Sequence, residues 1–267
     1  VIEVMLAAAA KTVLLCTLAF AATRALRRAN ASLRHFVWTL ALVAALALPL
    51  GSRWLPALAV QVLPAVVAHE NRPQSVHEAA RPEAAPLDAA PRATARAPAT
   101  TPWVETRTST LEPRRADAPL WRRLLVAGWL VGAALILAAL ALALRALRRL
   151  ERGAGFVDDP EWLAVARSVA RELGLRRRVR LMWSTAGGPP MTWGAWRPIV
   201  LLPAEATAWP ADLRRDVLRH ELAHVRRWDF VTQLLARVAC AVYWFLPPVW
   251  LAARALRLER ERACDDQ

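Results

Sequence analysis

The chain has 267 residues, is 56% hydrophobic with a mean hydropathy of +0.24, and carries a formal net charge of +14 at neutral pH. That apolar fraction fits a membrane protein better than an ordinary soluble domain. Lys11 is the single lysine, so the excess charge is arginine. Cys16, Cys240 and Cys264 form no CxxC pair, which argues against a disulfide scaffold.

Residues 12–23 continue an apolar start that includes Lys11. The stretch from Ile2 to Ala22 could cross a hydrocarbon core of about 30 Å with the lysine snorkelling or facing other helices. Residues 36–50 form a second run that reaches spanning length if His35 or Gly51 is included. Leu124–Leu144, without a charge, is the clearest span. Arg24, Arg27, Arg28 and Arg34 separate the first two runs, and Arg145, Arg148, Arg149 and Arg152 follow the third. The positive-inside rule places both clusters in the cytoplasm and the N-terminus outside, with Arg122 and Arg123 counting against that orientation without reversing it.

The expected organisation is therefore two transmembrane helices joined by a short cytoplasmic loop (1–51), an extracytoplasmic Pro/Ala-rich flexible loop (52–118), a third transmembrane helix (119–150) and a cytoplasmic domain (151–267). Prolines at 73, 82, 86, 91, 98, 102 and 113 leave no helical or alternating periodicity in the external loop, which reads as a tether.

In the last domain, Asp158-Asp159-Pro160 marks a helix start, and Trp162, Leu163, Val165, Ala166, Val169 and Leu173 recur at helical spacing up to Gly174. Val179–Trp183 alternates as a strand, Gly187–Pro190 is a loop, and Pro198–Leu202 is a short apolar strand. The two strands are expected to make a small hairpin-like sheet. From Ala211, the positions Leu213, Val217, Leu218 and Leu222 mark one face of a helix that runs to about Val225. Phe230–Leu256, interrupted at Pro247-Pro248, reads as a fourth span, a kinked re-entrant element or an amphipathic helix.

The helix beginning at Ala211 carries His220-Glu221-Leu222-Ala223-His224. In an HExxH helix the two histidines share a face and can hold one Zn2+, while the glutamate serves as general base. Zinc acidifies water and polarises a scissile carbonyl, and Glu221 would take the proton and deliver it to the departing amine. Two histidines leave a catalytic zinc one protein ligand short. Spacing leaves Glu259, Glu261, Asp265 and Asp266 open as the third.

Four ordered blocks carry a resemblance: PMTWGAWRPIVLLP at 190–203, LRHELAHVRRWD at 218–229, WFLPPVW at 244–250 and ERACD at 261–265. Together they resemble the BlaR/MecR family of membrane metallopeptidases. The resemblance implies a multi-span α-helical membrane protein of the bacterial inner (plasma) membrane, with a small α+β, gluzincin-like zinc-peptidase domain. It makes His220, His224 and Glu261 the zinc ligands and Glu221 the catalytic base. Asp265 becomes a carboxylate behind the ligands that could hold a ligand imidazole by its other nitrogen. Asp229 and Arg227 resemble the family's tail to HExxH, with a helix-end or docking role equally open, and Cys264 is expected to pack beside the metal. The 188–203 block resembles the loop and strand above the active-site helix, where an exposed strand could pair with an extended substrate.

The implied activity is cleavage of a cytoplasmic protein, in the family a transcriptional repressor or the protein itself. The partners expected are that substrate and the lipid bilayer. The chain shows no DNA-reading segment, so no direct nucleic-acid partner is expected, and oligomeric state is open. Antibiotic-sensing members continue past the position of Gln267, and the chain starts at Val1. The alternative expectation is a fragment of a longer sensor-transducer or a non-catalytic membrane signalling or scaffold protein.

Overall fold

Three long apolar helices organise the first half of the computed structural model, which describes residues 2–51, 119–185 and 187–265. Helix α1 (Ile2–Ala25) ends in a 3-10 turn at Leu26–Arg28, α2 (Ala31–Gly51) runs back against it, and α3 (Leu120–Gly153) follows residues 52–118. The stretches Met5–Arg28, Ala31–Pro49 and Leu120–Gly153 are each long and apolar enough to cross a membrane. The external loop expected at 52–118 lies outside the described residues, as does Asp266. No residue of α3 is buried, and Leu124, Leu130, Leu135 and Leu142 are all more than half exposed. An apolar surface of that extent is stable in lipid and a liability in water.

The second half begins with β1 (Gly155–Phe156) and α4 (Pro160–Glu172). Asp159 caps α4 by accepting from the backbone N–H groups of Glu161, at 2.8 Å, and Trp162, at 3.4 Å, with Pro160 in the first turn. Then come β2 (Arg180–Ser184), β3 (Met191–Trp193), β4 (Ile199–Pro203), a 3-10 turn at Ala204–Ala208, and helices α5 (Ala211–Arg226), α6 (Asp229–Val242) and α7 (Pro247–Asp265).

The sheet has the order β1-β2-β4-β3. The expected hairpin of 179–183 with 198–202 is not what forms, because β2 and β4 pair in parallel, Arg180 opposite Ile199 and Ser184 opposite Pro203. The antiparallel partner of β4 is β3, joined to it by a tight turn in which Gly194 has φ +100°. A Cβ at Gly194 would lie 2.7 Å from the Arg197 carbonyl oxygen, so the turn excludes larger residues. A three-residue strand flanked by proline and glycine has too little alternation to be read from sequence.

Two large apolar cores result, beside a smaller one of Met182, Trp193, Ile199 and Leu201. One joins α4, the sheet and α5 through Trp162, Val169, Val200, Leu202, Leu218 and Leu222. Trp162 is fully buried and meets Trp183 edge-on at 5.5 Å. The other joins α1 and α2 to α6 and α7 through residues such as Cys16, Trp38, Leu42, Cys240, Val249 and Leu256.

Residues 230–256 are thus not one helix. Pro247 opens α7 after a turn at Tyr243–Leu246, and α7 runs back so that Arg260 comes beside Gln233 near the start of α6. At 14 residues, α6 is about 21 Å long, too short to cross a core of about 30 Å. The turn of this hairpin is clasped to the long helices. Trp129 Nε1 donates to the Val242 carbonyl at 2.8 Å, Trp244 Nε1 donates to the Trp129 carbonyl at 3.2 Å, and the Tyr243 hydroxyl donates to the Ala45 carbonyl at 2.9 Å.

Gly132 of α3 faces the Trp244 ring so closely that an added Cβ would come within 2.4 Å of it, whereas a Cβ at Gly128 meets nothing within 4 Å. Gly132→Leu should therefore cost about 1–3 kcal/mol by overpacking. Thermal unfolding in detergent should show a lower midpoint for this variant and almost none of that loss for Gly128→Leu.

Candidate metal centre

Helix α5 is oriented by its apolar face. Leu218, Leu222 and Val225 are buried against α4 and the sheet, which turns His220, Glu221 and His224 toward a cavity of about 430 Å³ between the sheet edge and α7. Leu147, Met191, Trp193 and Phe230 supply much of its apolar wall.

The helix stops at Trp228, the one non-glycine residue with positive φ among the described residues (φ 59°, ψ 35°). A left-handed conformation costs such a residue about 1–2 kcal/mol. Arg177 supports the turn. Its guanidinium lies 3.8 Å from the Trp228 ring centroid, and its Nη1 donates to the Val225 carbonyl at 3.0 Å. The reversal carries Asp229 back beneath the helix, where its Oδ2 lies 2.7 Å from His224 Nδ1.

Around that contact the structure gathers most of the residues singled out in the sequence. The Nε2 atoms of His220 and His224 lie 3.8 Å and 3.7 Å from the same oxygen, Glu261 Oε2, and their rings are nearly perpendicular at 86°. Arg260 occupies the other oxygen, Glu261 Oε1. Behind the histidines, Asp265 Oδ1 is 3.5 Å from His220 Nδ1, so each imidazole presents one nitrogen to Glu261 and the other to an aspartate. Arg227 Nη2 donates to Asp229 Oδ2 at 2.6 Å, to the Arg260 carbonyl at 2.9 Å and to Cys264 Sγ at 2.8 Å, tying the end of α5 to α7. Glu259, one of the residues left open by spacing, faces away and pairs with Arg34 and Arg262, both at 2.8 Å.

Cys264 Sγ is 3.2 Å from His224 Nδ1 and 3.5 Å from its Nε2, and it forms with His220 and His224 a group of possible metal donors within 4.8 Å of one another. Burial opposes charge on His224, but hydrogen bonds to Asp229 and Cys264 outweigh it and push its pKa up to about 9. Burial would also raise Asp229, yet the bonds from His224 and Arg227 hold it below the ordinary carboxylate value.

No pattern in the sequence singled out Thr192. Its hydroxyl, on β3, donates to Glu221 Oε2 and so orients the buried carboxylate. Nor did the sequence connect to the site Arg34 and His35, read only as a flanking charge and the edge of the second run, which come from α2 and pack against α7 and Asp229 across more than 190 residues of chain. The strand at 198–202, read as a possible substrate edge, is interior. All five residues of β4 are buried between β2 and β3, and the edge bordering the cavity is β3.

The chain is 29% identical over 137 residues to the regulatory protein BlaR1 of Bacillus licheniformis, a match that covers 51% of this chain and 23% of that protein. The aligned stretch thus spans less than a quarter of the relative's length. The family described as BlaR1 peptidase M56 matches residues 1–267, from end to end, and the chain belongs to that family of membrane metallopeptidases.

Proposed function

We propose that the chain is a membrane-anchored zinc endopeptidase with His220, His224 and Glu261 as metal ligands and Glu221 as general base. In this reading it cleaves a cytoplasmic protein, a transcriptional repressor or the chain itself, in signal transduction. The observation that carries the reading is the convergence of two imidazole Nε2 atoms on one Glu261 oxygen, at 3.8 Å and 3.7 Å. Donor atoms sharing a tetrahedral zinc at 2.0–2.2 Å stand about 3.3–3.6 Å apart, and each histidine–Glu261 separation is only a few tenths of an ångström longer than that.

Cys264 competes with Glu261 for the third place. Glu261 is favoured because its Oε2 faces both histidines nearly equally, whereas the Cys264 sulfur, although 3.5 Å from His224 Nε2, is buried and accepts from Arg227. A His2Glu set also leaves a position open for water and substrate, as a catalytic site requires. When bound, the ion supplies a Lewis acid that polarises the scissile carbonyl and lowers the pKa of water.

The protein's own groups do the rest. Asp229 and Asp265 fix the tautomer and tilt of the two imidazoles by engaging Nδ1, which directs Nε2 to the centre. Thr192 holds Glu221 in the cavity, where the carboxylate accepts a proton from the attacking water and returns it to the leaving amine. Along the cavity, β3 pairs only with β4 among the described strands, so its outer edge is placed to bind an extended substrate backbone.

A cytoplasmic orientation is supported by charge. Arg34 in the first turn of α2 pairs with Glu259, two residues from Glu261, and Glu151 near the end of α3 pairs with Arg180 of β2. Both arginine-rich ends of the long helices therefore abut the proposed peptidase unit, the side that the positive-inside rule assigns to the cytoplasm. We read residues 1–51 and 119–150 as the spans and 151–267 as the peptidase unit, with the α6–α7 hairpin lodged re-entrantly among the spans.

Elemental analysis of detergent-purified protein should find about one zinc per chain. Glu261→Gln should lose most of it and Cys264→Ser should keep it, and the reverse pattern would transfer the ligand role to the cysteine. Glu221→Gln should retain the metal while hydrolysis of a quenched-fluorescent peptide library falls at least about 100-fold. Asp229→Asn should weaken zinc affinity about 10- to 100-fold in chelator competition. A parent protein that takes up no zinc would favour the scaffold alternative.

A further inference from the structure

The α2 helix reaches the proposed metal centre through a side chain that the mechanism above does not use. His35 is 6% exposed, and its Nε2 is buried with no hydrogen-bond partner. Asp229 Oδ1 lies 3.8 Å from it, and the two side chains are 7% and 2% exposed. A buried, unpartnered ring nitrogen is costly, and here it faces the oxygen of Asp229 with the greater capacity to accept. Oδ2 is already occupied by His224 at 2.7 Å and Arg227 Nη2 at 2.6 Å, while Oδ1 has only a long contact from Arg227 Nε at 3.4 Å.

We propose that His35 is a positioning residue for the metal centre: from the membrane helix α2 it donates to Asp229 Oδ1 and thereby sets the orientation in which Asp229 holds His224. The inference rests on the metal-centre reading above. A shift of about 1 Å brings the contact into the ordinary hydrogen-bond range of 2.7–3.2 Å.

The neighbouring residue makes such a shift a matter of how α2 seats on α7. Arg34 Nε pairs with Glu259 Oε2 at 2.8 Å, and its Nη1 donates to the carbonyls of Arg27 and Ala29, so the start of α2 is gripped by α7 and by the turn from α1. Asp229 opens α6 and Glu259 lies on α7. Adjacent residues of one membrane helix therefore touch both arms of the hairpin that brings Glu261 and Asp265 to the histidines. The charged groups that act on His35 are the carboxylates of Asp229 and Glu259 and the guanidiniums of Arg227 and Arg260. His35 is thus the imidazole that completes the surroundings of Asp229.

The test is Zn2+ affinity, by competition with a chromophoric chelator, of the full chain in detergent, together with the visible spectrum of the Co2+-substituted protein. His35→Ala should raise the zinc dissociation constant about tenfold and shift the Co2+ ligand-field bands. His35→Gln, whose amide nitrogen can occupy the place of Nε2, should recover most of both. Adding His35→Ala to Asp229→Asn should cause little further loss, because the histidine acts through the aspartate. Leu42→Ala, a core truncation on the same helix, should lower thermal stability without changing metal affinity or spectrum.

Parent-like affinity in His35→Ala, full additivity with Asp229→Asn, or an equal loss in Leu42→Ala would overturn the proposal while leaving the metal centre standing. Absence of metal from the parent would instead remove the reading on which it rests.

Discussion

A carboxylate buried at the turn between α5 and α6 holds this architecture together. Asp229 is 1% exposed and meets His224 and Arg227 at hydrogen-bond distance. An isolated charge there would be strongly unfavourable, and several kcal/mol of desolvation must be offset by good geometry. The left-handed Trp228 provides that geometry by ending α5 abruptly, and Arg177 braces the turn from the other side of the ring. Arg227 then carries the connection onward to the Arg260 carbonyl and Cys264. One acidic group thereby couples the HExxH helix, the start of the apolar hairpin and the end of α7.

That arrangement explains how two cores of different character share one centre. The α4, α5 and sheet core is rich in tryptophan and branched aliphatic residues, whereas the α1, α2, α6 and α7 core contains many alanines that allow close helix approach. The proposed ligands lie at their junction, with His220 and His224 on a helix of the first and Glu261 on a helix of the second. A site divided in this way depends on how the membrane helices seat against α7. The contacts of Arg34 and His35 with Glu259 and Asp229 are where that seating meets the chemistry.

Several features were legible in the residues themselves, each for a local reason. Long apolar runs are legible as candidate spans because the bilayer rewards apolar length, and α1, α2 and α3 each enclose one of those runs, α3 extending furthest beyond it. Asp159 and Pro160 start α4 because one accepts from free N–H groups and the other needs no N–H partner. His220, Glu221 and His224 fall together because they lie within four residues on a regular helix, so the chain's periodicity alone puts both imidazoles on one face.

What depends on distant parts of the chain was not legible. Periodicity shows that two apolar segments are strands, but parallel or antiparallel pairing depends on what lies between them, and the short β3 takes the antiparallel place beside β4. Spacing left Glu259, Glu261, Asp265 and Asp266 open and only the family resemblance pointed to Glu261; its approach to the histidines follows from which face of α7 meets α5, a rotation set by the packing of Val249, Ala252 and Leu256 against α1 and α2. Sequence by itself determined the membrane character, the helices and the HExxH pair, because these follow from interactions within a few turns of chain. Tertiary structure alone decided the strand order, the convergence of Glu261 with both histidines and the approach of His35 to Asp229, because each joins side chains whose separation in sequence carries no information about their separation in space.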